Sequence, residues 1–268
     1  MIGNSRLHWA WFAGATLQAA WDTDHLPAWV VEQLIQSLQT GEWKTELFPD
    51  TPINPIQLRN PTPISLKLAS VVPMQAQLWQ TYPDINVITL DQLPLQGLYP
   101  TLGIDRALAV LGAGENLGFP VLVIDGGTAL TFTGVDAQKQ LVGGAILPGL
   151  RLQIQSLTDR TAALPKIELY NKMPQRWAVN TVEAIQSGVS YTVLAGVRDF
   201  IESWWQEFPE SRIAITGGDR TLLLGYLQAN FPHIAAKVIA DPHLIFWGMQ
   251  FLRTTHLSKN NGGNKSES

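Results

Sequence analysis

The chain has 268 residues, of which 46% are hydrophobic and 15% charged, and its 18 Lys and Arg against 22 Asp and Glu give a net charge of −4. This composition excludes intrinsic disorder and fibrous repeats. The slightly acidic net charge argues against nucleic acid as a partner. Because the chain has no cysteine, it has no disulfides and no thiolate metal sites. No apolar run is long enough to span a membrane and no signal peptide is visible, so we expect a cytoplasmic protein without membrane contact.

Short strands and helices alternate in the first half of the chain. Apolar residues at alternate positions of residues 7–12 predict a half-buried strand. Pro27, followed by an apolar stripe of helical period, predicts a helix that ends at Gly41. Residues 49–63 are rich in proline and predict a loop. Residues 66–72 and 86–90 predict strands around a helix at residues 74–81, and a further helix is predicted at residues 106–111.

The second half begins near Gly118 with a run of apolar residues at 121–124, which is typical of a strand buried on both faces. Strands at residues 129–135 and 140–146 follow, then helices at 150–157 and 181–205, a buried strand at 212–216 and a last helix at 243–253. Each half starts with a strand, a turn of small residues and a returning strand. The sequence therefore predicts two copies of one α/β unit that face each other across a cleft.

The strongest chemical signal is Asp125-Gly126-Gly127-Thr128, with Thr131 three residues on. Two glycines allow a sharp turn that brings backbone N–H groups close to an anion, and the threonines add hydroxyl donors. Asp125 offers a carboxylate for a cation beside that anion. A hairpin follows the glycines instead of a helix, so the motif is not a P-loop. The same residues are equally compatible with an ordinary hairpin turn capped by aspartate.

Asp105 and Arg106 open a predicted helix, where the helix dipole favours anionic ligands. Arg106 could bind a ligand carboxylate while Asp105 accepts a hydroxyl proton. The alternative is that Asp105 only caps the helix.

Three further glycine-containing stretches favour close approach of the backbone to a ligand. They are Gly3-Asn4-Ser5, residues 143–150, and Thr216-Gly217-Gly218-Asp219. The last of them ends a buried strand ahead of a helix, a place where nucleotides often lie in α/β folds. Ordinary tight turns are the alternative in each case.

Taken together, several stretches in this order resemble type III pantothenate kinases of the acetate/sugar kinase–Hsp70–actin superfamily. They are residues 3–6, 69–73, 102–106, 125–131, 143–149, 180–185 and 216–218. The resemblance implies an α/β fold of two ribonuclease-H-like (actin/Hsp70-type) domains with mixed sheets flanking a central cleft. The expected limits are residues 1–115 and 116–252, with the last helix packing back on the first domain and a disordered tail over residues 253–268.

The resemblance also implies an activity, namely ATP-dependent phosphorylation of pantothenate to 4'-phosphopantothenate, the first step of coenzyme A biosynthesis. It implies a homodimer that uses Mg²⁺ and a monovalent cation (K⁺ or NH₄⁺), with Asp105 as general base and Asp125 as ligand of the monovalent cation. The implied substrate-binding residues are Tyr99, Gly103, Ile104, Asp105, Arg106 and Thr181, the last reaching from the partner subunit. The implied ATP-binding residues are Gly3, Asn4, Ser5, Arg6, Thr128, Thr131, Gly217 and Gly218.

One position departs from the family pattern. Relatives carry an aspartate two residues before the first glycine, on a complete strand, and this chain has Met1 there. Either translation starts further upstream, where we expect a short apolar strand that ends in aspartate, or the chain is impaired as a kinase. Two alternative functions follow: a non-catalytic regulator of the same fold, or another phosphotransferase such as a sugar kinase. Arg106 argues against a neutral sugar, because a guanidinium suits a carboxylate.

Overall fold

The computed structural model describes residues 1–40, 64–158, 167–169 and 171–261, and the predicted loop at residues 49–63 lies outside them. The chain divides into two compact units, the first formed by the described residues of Met1–Leu93, Pro100–Leu108 and Met249–Ser268, and the second by those of Pro94–Tyr99 and Ala109–Gly248. No helix in this part of the chain is both long and apolar enough to cross a membrane. The domain limits expected from the sequence, including the tail, stay a prediction.

The first unit contains two small sheets that Ile2 joins. Its elements are β1 (Leu7–Ala13), β2 (Thr16–Thr23), α1 (Ala28–Thr40), β3 (Leu66–Leu68), α2 (Pro73–Gln77), β4 (Ile85–Val87) and a short 3-10 helix (Leu90–Gln92). β1 and β2 form an antiparallel hairpin, whereas β3 and β4 are parallel. Ile2 pairs antiparallel with Leu7 at the start of β1 and parallel with Ser70 just after β3. The strand order is therefore β2–β1–Ile2–β3–β4.

A separate core stabilises the first unit. The apolar stripe of α1 is buried as predicted, and it packs with Ile2 and Leu7 and with the large side chains of Trp79 and Tyr82. Trp9 on β1 stacks on Trp21 of β2 with ring centres 5.9 Å apart. Aromatic pairs of this kind hold a two-stranded hairpin that would be marginal by itself.

The second unit is built on a five-stranded sheet. Its strands are β5 (Val121–Gly126), β6 (Ala129–Val135), β7 (Leu141–Pro148), β8 (Arg212–Thr216) and β9 (Val238–Ala240), in the order β7–β6–β5–β8–β9. The helices are α3 (Ile104–Leu117), α4 (Leu150–Thr158), α5 (Thr181–Glu207), α6 (Arg220–Asn230), α7 (Pro232–Ala235) and α8 (Leu244–Asn261). The first residues of α3 and the last residues of α8 belong to the ranges of the first unit. Apolar side chains on one face of the sheet pack against α4, α5 and α6 to form the core.

Both units share one topology. In the second unit β7, β6 and β5 are antiparallel neighbours, while β5, β8 and β9 are parallel. The order and directions of β2–β1–Ile2–β3–β4 repeat this pattern, with Ile2 at the position of β5. This confirms the predicted α/β fold with mixed, ribonuclease-H-like sheets.

Several predicted elements have different limits. The strands predicted at residues 66–72 and 86–90 are only Leu66–Leu68 and Ile85–Val87, and the helix predicted at 74–81 ends at Gln77. The helix predicted at residues 106–111 spans Ile104–Leu117, and β2, α7 and β9 were not predicted.

Candidate functional site

The carboxyl ends of three strands of the second unit meet at one edge of its sheet. β7 is antiparallel to β6 and β6 to β5, so β5, β7 and β8 all run in one direction. At this edge Asp125 is in register with Thr131 on β6 and with Thr216 on β8. Paired residues of neighbouring strands point to the same face. The predicted cation ligand and one predicted ATP-binding threonine therefore lie side by side.

Glycines allow the turns at this edge to pack backbone against backbone. The amide of Gly149, just after β7, donates to the carbonyl oxygen of Thr128 at 2.9 Å. A Cβ atom on Gly149 would lie only 2.1 Å from the Gly127 carbonyl oxygen. Gly217, after β8, has a φ of +86°, and a Cβ there would lie 2.3 Å from Asp125 Oδ1 and 2.5 Å from the Gly126 carbonyl oxygen. No side chain fits at either position.

Gly218 differs from its neighbours, because a Cβ atom there would meet no atom within 4 Å. Residues 126–128, Gly149 and residues 217–218 are called the glycine cluster below. Its buried side is filled by the protein's own backbone, whereas its side at Gly218 is open. The open side leaves room for a ligand beside the backbone of these turns.

A charged pair adjoins the glycine cluster at the start of α6. The amide of Asp219 donates to the Gly126 carbonyl oxygen at 2.8 Å. The Asp219 side chain is only 7% exposed, and its Oδ1 lies 3.2 Å from Nε of Arg151, whose side chain is 72% exposed. The guanidinium of Arg220 donates to the Gly217 carbonyl oxygen at 2.9 Å.

The predicted site residues did not include Arg151. The only signal in the sequence for a charged pair at this place was Asp219, an acidic residue directly after the glycine pair at 217–218. Arg151, with which Asp219 pairs, lies 68 residues before it in the chain.

The predicted acceptor-binding residues lie at the start of α3. Asp105 is in its first turn, and Asp105 Oδ1 accepts a hydrogen bond from the Arg106 amide at 2.8 Å. A Cβ atom on Gly103 would lie 2.4 Å from the same Oδ1, so glycine leaves room for this carboxylate. Ile104 is buried, and the Arg106 side chain is only 7% exposed. Asp105 is the second residue of α3 and bonds to the amide of the next residue, so it does not occupy the N-cap position that the capping alternative requires.

The first predicted ATP-binding turn lies in the first unit. The amide of Gly3 donates to the Arg6 carbonyl oxygen at 2.9 Å, and Asn4, Ser5 and Arg6 are exposed. The Gly3 carbonyl oxygen lies 2.8 Å from Nε2 of His25, a residue that the sequence did not single out.

The amino group of Met1 is buried directly before this turn and donates to the His8 carbonyl oxygen at 2.8 Å. Burial lowers the pKa of this amine from 8.0 to about 5.

Tyr99 lies in the loop that precedes α3, and Thr181 lies at the start of α5. Tyr99 ends the Pro94–Tyr99 segment of the second unit and is 41% exposed. Thr181 is the exposed first residue of α5, whose start is capped by Asn180, because its Oδ1 accepts from the Glu183 amide at 3.0 Å. Their roles in substrate binding stay predictions.

Comparison with known proteins gives the family. The family model described as type III pantothenate kinase matches residues 2–203. The chain belongs to this family. Among its type III pantothenate kinase relatives, one from Nostoc sp. is 56% identical over 259 residues, which cover 93% of this chain and 91% of the relative. Another, from Synechocystis sp., is 46% identical over 251 residues, covering 93% of this chain and 87% of the relative.

Solved structures support the fold. A Campylobacter jejuni protein described as a Baf family transcriptional activator matches with a TM-score of 0.59 and 19% identity, covering 96% of this chain and 97% of that protein. The activator of 2-hydroxyisocaproyl-CoA dehydratase from Clostridium difficile, with bound ADPNP, has a TM-score of 0.51 and 10% identity, over 100% of this chain and 97% of that one. At these identities the likeness concerns the fold alone.

Proposed function

We propose that this member of the type III pantothenate kinase family transfers the γ-phosphoryl group of ATP to the primary alcohol of pantothenate, forming 4'-phosphopantothenate for coenzyme A biosynthesis. The observation that carries the proposal is the family match over residues 2–203. The glycine cluster gives it a physical basis, because phosphoryl transfer asks a protein mainly to position phosphates and to stabilise their charge. The family model and the two sequence relatives are named for the kinase and give no support to the non-catalytic alternative.

The nucleotide phosphates bind at the glycine cluster in this proposal. The open side at Gly218 leaves room for them, and the exposed Thr128 offers a hydroxyl at the tip of the β5–β6 turn. The buried Thr131 stands beside Asp125 in the sheet register. We also propose a role in ATP binding for Gly3, Asn4, Ser5 and Arg6, which form a turn of small and polar residues in the first unit.

The two cations that the family resemblance implies, Mg²⁺ and K⁺, would need different ligands from the protein. Within the described ranges, no cluster of three histidine or acidic side chains could hold a metal ion. Mg²⁺ commonly binds through substrate phosphates and water with few protein ligands, so this finding is compatible with a kinase. When bound, Mg²⁺ supplies charge neutralisation on the phosphates. Asp125, beside the carbonyl groups of the glycine cluster, offers the oxygen atoms that a K⁺ ion needs.

The acceptor binds at residues 103–106. The Arg106 guanidinium pairs with the carboxylate of pantothenate, while Gly103 and Ile104 shape the backbone around it. Asp105 orients the primary hydroxyl and takes its proton as the oxygen bonds to the γ-phosphorus and the bond from that phosphorus to the β–γ bridging oxygen breaks. Tyr99 contacts the acceptor, and in a homodimer the partner subunit's Thr181 does so as well.

A direct assay tests this proposal. The purified chain is incubated with ATP, Mg²⁺ and pantothenate in K⁺, NH₄⁺ or Na⁺ buffers, and 4'-phosphopantothenate is measured by mass spectrometry. We expect product in K⁺ or NH₄⁺, and for Asp105→Asn a kcat lower by about 10²- to 10⁴-fold. Asp199→Asn, an exposed change on α5, is the matched control and should retain wild-type kcat. Absence of product in every buffer contradicts the proposal, and light scattering tests the homodimer.

A further inference from the structure

A buried carboxylate lies directly at the glycine cluster. Asp219 precedes α6, its amide bonds to the Gly126 carbonyl oxygen at 2.8 Å, and its side chain is 7% exposed. The carboxylate makes no capping hydrogen bond to α6. Its ion pair is with Nε of Arg151 at 3.2 Å, contributed by the first turn of α4. An anion is thus held close to the place where the proposed function requires the phosphates of ATP.

Fold stability does not explain this ion pair. Burial of a carboxylate costs free energy, and a partner that is 72% exposed returns little of it, because water screens the attraction. A negative charge at this place also opposes nucleotide binding. The start of a helix such as α6 attracts phosphate through its free amides and dipole, and an ionised aspartate there cancels part of that attraction.

The negative charge of Asp219 also acts on a buried tyrosine of the same unit. Tyr226 lies two turns along α6 and is buried. Burial raises the pKa of its hydroxyl above the ordinary value, and the charge of Asp219 adds to the rise. Arg220 provides a second cation at this place, but its guanidinium bonds to the Gly217 carbonyl oxygen. Arg151 is the cation that is paired with the carboxylate itself.

We infer that Arg151 is a positioning residue of the nucleotide site, which acts through Asp219: its guanidinium neutralises the buried carboxylate and so keeps the glycine cluster able to accept a polyphosphate. The inference rests on the proposed function for the place of the phosphates. It distinguishes Arg151 from a residue that contacts the nucleotide, because removal of Asp219 should make Arg151 dispensable.

Calorimetric binding of a non-hydrolysable ATP analogue with Mg²⁺ to the full chain tests the inference without turnover. In Arg151→Gln the unpaired carboxylate repels the phosphates, and one unbalanced charge in a partly buried setting with an effective dielectric constant of about 20 weakens binding roughly tenfold or more. Arg151→Lys keeps the charge and should bind within about threefold of wild type. Asp219→Asn combined with Arg151→Gln removes both charges and should likewise recover binding to within about threefold.

Arg212→Gln is the matched control, since it removes the same charge at the other end of β8, where Arg212 is exposed and paired in register with Val121. It should bind the analogue like wild type. The inference is overturned if the double variant binds as weakly as Arg151→Gln alone. It is also overturned if Arg151→Gln has the same free energy of unfolding as wild type and binds the analogue equally well. If the analogue binds to wild type and the variants in the expected pattern but pantothenate is not phosphorylated, the proposed function fails and the inference stands. If wild type binds no analogue, both fail.

Discussion

Replacement of Gly217 by alanine should destabilise the second unit. With a φ of +86°, an alanine would be held in the left-handed region, which costs about 1–2 kcal/mol. Its Cβ would also lie 2.3 Å from Asp125 Oδ1 and 2.5 Å from the Gly126 carbonyl oxygen, and such overpacking costs about 1–3 kcal/mol more. We therefore expect the free energy of unfolding to fall by about 2–5 kcal/mol, measured by urea denaturation and circular dichroism.

The adjacent Gly218→Ala variant separates stability from ligand binding. Its new methyl group meets no protein atom within 4 Å, so the free energy of unfolding should change by less than about 0.5 kcal/mol. The same methyl group takes up the space proposed for the phosphates, and the KM for ATP should rise roughly tenfold. Equal denaturation midpoints for Gly217→Ala and wild type would refute the steric reasoning. An unchanged KM in Gly218→Ala would refute the position of the phosphates.

Two further predictions concern the first unit. Arg106→Gln should raise the KM for pantothenate roughly a hundredfold and leave that for ATP nearly unchanged, because the lost guanidinium pairs with the acceptor carboxylate; an equal rise in both contradicts this role. Gly103→Ala places a methyl group 2.4 Å from Asp105 Oδ1, so displacement of that carboxylate should lower kcat about tenfold or more at an unchanged KM for ATP, and wild-type kcat would disprove it.

The elements that were predicted correctly are those whose local pattern agrees with their tertiary surroundings. β5, β6 and β8 combine β-branched and apolar runs with small-residue turns, and α1 and α5 show clear helical periodicity. The prediction for α3 stopped at residue 111, before Gly112. A Cβ atom on that glycine would lie 2.0 Å from the Leu244 carbonyl oxygen, so helix packing requires glycine there although glycine weakens a helix. Close packing, which the sequence does not display, therefore accounts for a glycine inside this helix.

In the candidate site, too, the sequence showed the local turns but not the contacts that depend on tertiary structure. The glycine turns at residues 125–128 and 216–218 were found from the sequence, because close approach of backbones leaves glycine few substitutes. The pair of Arg151 and Asp219 was not found, since it depends on the strand order that brings the starts of α4 and α6 to one edge of the sheet. Nothing in either local sequence indicates a partner 68 residues away.

The composition of the glycine cluster predicts that the phosphate binding proposed there is sensitive to single charges. Its turns offer backbone groups and threonine hydroxyls, and no acidic or histidine cluster in the described ranges supplies a protein-held metal ion. A site built from dipoles stabilises phosphate only over short distances, whereas a full charge acts over several ångströms in a partly buried setting. One unpaired carboxylate can therefore offset several amide contacts. In the proposed site, this balance gives a physical reason for an exposed arginine beside a buried aspartate at the start of α6, and it predicts that the charge on Asp219 affects nucleotide affinity.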